Sequence, residues 1–111
     1  MQIPSALVLV NEILSKGFEA GNIISGLLEH ARDLLVCKNP ETAMLLNVGA
    51  GIREKYLKQA EIIPQDFLLD TLELCNQAEL EYKQSKNKRL LLELLIIRMC
   101  QLMDVKKKVN S

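Results

Sequence analysis

The sequence predicts an all-α fold, a single compact bundle of about five helices. Three observations carry this expectation. Apolar residues make up 49% of the chain and aromatics only 4%, so the hydrophobic mass is aliphatic, as in helices packed through Leu and Ile. Glycine and proline are sparse, with five and three copies. Apolar positions recur at helical spacing, and no convincing strand with a period of two interrupts them. A chain of 111 residues suffices for one domain and is too short for two.

The first helix is expected from about Ser5 to Lys16, with Gly17 placed to end it. The second, from about Ala20 to Cys37, has the clearest periodicity. Ile23, Ile24, Leu27, Leu28, Ala31, Leu34 and Leu35 share one face, while Glu29, His30, Arg32 and Asp33 fall elsewhere. In "KNPET", Asn39 can cap the next helix and Pro40 suits its first position, where a missing N–H costs nothing. The third segment, about Pro40 to Ala60, contains Gly49 and Gly51. Two short helices, a kinked one, or a loop before a helix all fit it.

Pro64 starts the fourth segment, which runs to about Lys83. Asp66, Asp70 and Glu73 near its start and Lys83 and Lys86 at its end complement the helix dipole. Asn87 is placed to cap the fifth helix, which continues to about Lys106. Residues 105–111 read as a frayed tail or the start of a linker, so that 1–111 is one domain.

The fifth helix poses the main functional question. At about 100° per residue, Leu91, Leu92, Leu95, Ile96, Met99, Cys100, Leu102 and Met103 fill one half of its circumference. The other half holds Glu93, Arg98, Gln101 and Asp104, yet Leu90, Leu94 and Ile97 lie among them at i, i+4, i+7. A helix apolar on both sides is either central in its bundle or covered by another chain. The residues alone leave both readings open.

Much chemistry is disfavoured. Lys plus Arg equals Asp plus Glu at 14 each, so no net field recruits nucleic acid or an anionic membrane. Lys106 to Lys108 form the one basic cluster, without interleaved aromatics. Cys37, Cys75 and Cys100 lack metal or redox spacing and sit in apolar helical pattern. They read as buried reduced thiols, in keeping with a cytoplasmic protein. The opening residues do not read as a signal peptide. The longest apolar run, Leu90 to Met103, is interrupted by charge and shorter than the roughly 20 residues of a membrane span. The chain is therefore expected to be soluble.

Gly49-Ala50-Gly51 begins like a dinucleotide-binding turn, but Glu54 stands where the third glycine belongs and no strand precedes it. His30, the single histidine, lies beside Glu29 and Asp33 and reads as a surface or interface residue. Cys37 shares its side of the helix but is about 10 Å further along the axis, too far for joint catalysis. Pairs such as Asp66 with Asp70, or Glu79 near Glu81, read as ordinary helix surface. No catalytic residue, metal site or cofactor site is expected.

Two stretches carry a family resemblance. "LLEHARDLLVCK", Leu27 to Lys38, and "LCNQAELEYKQSKNKRLLLELLIIRMCQL", Leu74 to Leu102, resemble the gamma/tau subunit of the bacterial DNA polymerase III clamp loader, in the region after its ATPase part. "REKYLKQAE", Arg53 to Glu61, and "FLLDTLEL", Phe67 to Leu74, fit between them in order. The likeness covers about Ile13 to Leu102. It implies the third, collar domain, through which three gamma/tau copies join the delta and delta-prime subunits in a ring-like pentamer. The ATP sites of that family lie in two preceding domains that look absent here, so the chain resembles a fragment of a longer subunit.

Carried over by motif, Glu29, His30, Arg32, Asp33, Leu34 and Leu35 match one family run, and Ser85, Asn87, Lys88, Arg89 and Leu90 match another. Ala31 stands where many relatives have a larger aromatic, and Lys88 replaces a proline. The resemblance implies that the outer stripe of the last helix, Leu90, Leu94 and Ile97 with Arg98 and Gln101, faces another subunit. Two other classes compete. A small all-α enzyme, built like the helical chorismate mutases, would need Arg32, Arg53, Arg89 and Arg98 to converge inside the bundle. An unrelated helical adaptor would need only the stripe. With no GxxxxGK[ST] loop in the chain, calorimetric titration with Mg-ATP is expected to show no specific heat; a micromolar Kd would contradict this.

Overall fold

In the computed structural model the backbone is described for residues 2–110 and the side chains for residues 2–105. Six helices follow one another: α1 (Ile3–Ser15), α2 (Ala20–Val36), α3 (Pro40–Ala43), α4 (Ala50–Ile62), α5 (Gln65–Glu81) and α6 (Lys88–Asn110). No strand occurs among the described residues. The all-α expectation holds, and the count of about five becomes six because the segment from Pro40 to Ala60 divides.

The division has local causes. The Asn39 side chain accepts from the Glu41 N–H at 2.8 Å, and the Thr42 hydroxyl donates to the Val36 carbonyl at 2.6 Å. Together they fasten a single helical turn to the end of α2. The chain then leaves helical geometry, and Gly49, extended at φ −63° and ψ 158°, leads into α4. Arg53 donates to the Leu46 carbonyl at 2.8 Å, which also accepts from the Val48 N–H, and so ties α4 to the loop before it. The two glycines of Gly49-Ala50-Gly51 therefore serve a helix start.

Other ends follow their sequence signals. Gly17 adopts φ +97° just past α1, and its N–H donates to the Leu14 carbonyl. The Asn87 side chain accepts from the Leu90 N–H at 3.0 Å and caps α6. At the far end, the tail expected from residue 105 onward is instead continuous with α6, whose helical backbone runs to Asn110. The side chains of Lys106 to Lys108 lie outside the described residues.

Helices α2 and α5 run antiparallel and make the most extensive contact in the molecule. Ser25, early in α2, donates to Glu79, late in α5, at 2.8 Å. One core cluster forms around the start of α2 and the end of α5, where Ile24, Cys75 and Ala78 meet Val10 of α1 and Leu92 and Leu95 of α6. The other forms at the opposite end, where Ala31, Leu34 and Leu68 meet Ala43, Leu46 and Ala60. Ile24, Leu68, Leu92 and Cys75 are fully enclosed. Truncating such a leucine to alanine costs about 2–5 kcal/mol.

Gly21 allows the tightest approach. A Cβ there would stand 2.8 Å from Cζ of Tyr82, whose ring closes over the start of α2, whereas Gly26 faces open space. The two glycines should therefore respond to alanine with opposite signs. Gly26→Ala is expected to stabilise the fold by about 0.5–1 kcal/mol through helix propensity. Gly21→Ala is expected to destabilise it, since displacing the ring costs about 1–3 kcal/mol. Urea denaturation of both variants checks the pair; equal shifts would contradict the close contact.

Candidate subunit interface

The inner half of α6 is where its periodicity places it. Leu92, Leu95 and Cys100 are buried, and Leu91, Ile96, Met99, Leu102 and Met103 are partly covered. The outer half keeps its apolar stripe in the open. Leu90 is 48% and Leu94 44% exposed, against 4% for Leu95. Ile97 is half-buried, and Arg98 and Gln101 are exposed. The alternative in which α6 is a central helix covered by its own chain is thereby excluded for Leu90 and Leu94.

The neighbours of the stripe hold its edges. On one side Arg89 donates to the Asn11 side chain of α1 at 2.6 Å and lies 3.6 Å from Glu93, one turn along α6. On the other side a groove of about 120 Å³ separates α6 from α5, with Leu94 and Arg98 facing Gln77 and Glu81 across it. Gln77 donates to Glu81 at 2.8 Å. Sequence reasoning did not find Asn11, Gln77 or Glu81 beside the stripe. The i, i+4 spacing of Gln77 and Glu81 was a signal for their mutual bond, but not for which helix would lie opposite.

The start of α6 departs from the pattern that the family resemblance implies, and the structure shows what Lys88 does in place of the expected proline. Its ammonium donates to the carbonyls of Tyr82 and Ser85, each at 3.0 Å, and lies 4.9 Å from the centre of the Tyr82 ring. A positive charge thus satisfies carbonyls past the end of α5, where the helix dipole favours a cation. Ala31 is buried in the second core cluster with Leu34 and Leu68.

The residues that could have carried chemistry are dispersed. His30 is not a free surface residue: it packs edge-to-face on Tyr56 of α4, with ring centres 5.3 Å apart at 88°. Arg32 pairs with its neighbour Asp33 at 3.1 Å. Arg53 serves the loop before α4, Arg89 reaches α1, and Arg98 edges the α5–α6 groove. The four arginines do not converge, as the enzyme reading requires. No group of three His, Cys, Asp or Glu suited to a metal occurs among the described residues. No helix among them is long and apolar enough to cross a membrane.

Comparison with known proteins decides the family. Residues 2–111 match the family model described as DNA polymerase III subunits gamma and tau domain III. The chain belongs to this family. Domain III is here 23% identical over 99 residues to the DNA polymerase III subunit tau of Bacillus subtilis (strain 168), covering 89% of this chain. The match takes in 18% of that relative, so the chain spans less than a fifth of its length. No solved structure matches it.

The cysteines of domain III are free and buried. Burial, and then the negative Glu79, push the Cys75 thiol up to about 11. Burial also raises Cys37, helped by Asp33 and opposed by Arg53. An unfolded cysteine loses its proton near about 8.5, while folded Cys75 keeps it. The unfolded state then binds fewer protons, so stability falls with rising pH. This contribution is whole below the unfolded value and is lost as pH rises through that of the folded thiol. Denaturant midpoints measured from about pH 8 to pH 11 should decline, and Cys75→Ala should decline less steeply; parallel curves would contradict the assignment.

Proposed function

We propose that this domain is the non-catalytic assembly module of a clamp-loader gamma/tau subunit, and that the outer face of α6 seats against a neighbouring subunit. The single observation that carries the reading is the open apolar stripe on a helix whose other half is already buried. Leu90 and Leu94 are half exposed although their own chain supplies ample aliphatic surface. Arg98 and Gln101 extend the face with polar groups suited to an interface rim. The partners proposed are further gamma/tau copies and the delta and delta-prime subunits, in a cytoplasmic complex. The domain itself needs no cofactor and makes no direct contact with nucleic acid in this reading.

An adaptor outside the clamp loader would use the same stripe with a different partner; membership of the gamma/tau family favours the clamp loader. Paired substitutions test the role. Leu94→Glu in this chain is expected to leave the helical signal and Tm nearly unchanged, within about 0.5 kcal/mol, because the side chain already reaches water. Leu95→Glu, one position along and buried, is expected to unfold the domain, since a charge without a partner costs several kcal/mol there. In a longer subunit that also carries the ATPase part, Leu94→Glu should impair assembly with the other clamp-loader subunits in sedimentation velocity. Undiminished assembly with that variant would remove the stripe from the interface.

A further inference from the structure

Helix α1, like α4, buries few of its residues against the rest of the bundle. Only Ala6 and Val10 of its thirteen residues are buried, and both are small. It packs chiefly on α6 and makes no comparable contact with α2 or α5. A half-open apolar groove of about 320 Å³ runs along it, between Leu9 and Ile13 of α1, Ile23 and Leu27 of α2, and Met99 and Cys100 of α6. Atoms lining such a groove lack packing partners on the open side, which weakens the hold of the helix. Among the described residues, a side-chain hydrogen bond from Arg89 to Asn11 at 2.6 Å ties α1 to α6. Its joint to α2 contains Gly17 at φ +97°, followed by exposed Phe18.

We propose that α1 is a hinged cover that opens as a unit about the joint at residues 16–19 while α2 to α6 stay folded. Segments with few buried contacts open at a lower free energy than the global unfolding of their domain. When closed, α1 keeps Cys100 buried and covers part of the α6 surface that lines the groove. When open, α1 uncovers Cys100 and widens the access to Met99 of α6 and to Ile23 and Leu27 of α2. The position of α1 thus sets how much apolar surface the domain presents.

Cys100 reports on the opening, because it lines the groove, while Cys75 is enclosed in the core between α2 and α5. The test is thiol alkylation of the whole chain, read cysteine by cysteine by peptide mass, together with amide exchange. Cys100 is expected to react at least roughly tenfold faster than Cys75 after correction for thiolate content, with a rate nearly independent of low urea. The α1 amides should exchange with the same opening free energy as Cys100. Asn11→Ala, an exposed position, should raise the Cys100 rate severalfold and leave Cys75 unchanged. Equal rates with equal urea dependence would mean that α1 opens only in global unfolding and would overturn the proposal. Fast Cys100 labelling unaffected by Asn11→Ala, with α1 amides as protected as those of α2, would overturn it too, because the reagent would then enter without movement of α1.

Discussion

The antiparallel packing of α2 on α5 is the constraint on which the rest of the structure depends. It relies on small residues at the contact: Ala20, Gly21 and Ala31 from α2, and Cys75 and Ala78 from α5. Small side chains let two helix backbones approach and leave space for Ile24 and Leu68 to be fully enclosed. The consequence reaches α6. Tyr82 lies over Gly21, and Lys88, the first residue of α6, binds both the Tyr82 carbonyl and the face of its ring. The contact that joins α2 to α5 therefore also sets where α6 begins.

Once its start is fixed, α6 must divide its apolar surface. Leu92 and Leu95 enter the core that α2 and α5 have built, which turns Leu90 and Leu94 outward. Polar groups hold both margins of this strip, Arg89 with Asn11 and Glu93 on one side, Gln77 with Glu81 on the other. The strip is narrow, and its energetics are correspondingly modest. Burying the exposed halves of two leucines yields about 2–3 kcal/mol, less than the roughly 4–15 kcal/mol that association costs in lost freedom. In the proposed assembly the strip would fix orientation and register, while wider contacts supply most of the affinity.

Local signals were legible in the sequence because their partners lie within a few residues. Asn39 and Asn87 cap as their positions require, and Gly17 takes the left-handed conformation that ends α1. The burial of Cys37, Cys75 and Cys100 follows from their place in apolar periodicity. Non-local partners were not legible. His30 looks polar by azimuth, yet Tyr56 of α4 comes to its ring; Lys88 looks like the mere loss of a rigid first residue, yet two carbonyls of the preceding turn are within its reach. The division of the third segment lay between these cases: two glycines announced an irregularity, but the hydrogen bond from Thr42 to Val36 that isolates α3 depends on how α2 ends.

By itself the sequence determined the helical class, most helix ends, the absence of a phosphate loop and the presence of two apolar stripes on the last helix. These rest on spacing along the chain, which periodicity and capping convert directly into local geometry. The tertiary structure alone decided whether the chain itself covers the second stripe. Azimuth separates Leu95 from Leu94 by about 100°, but it does not say whether other helices of the chain close over both. That choice belongs to the α2–α5 pair, whose close contact at Gly21 and Tyr82 places α6 with Leu95 in the core and Leu94 facing water.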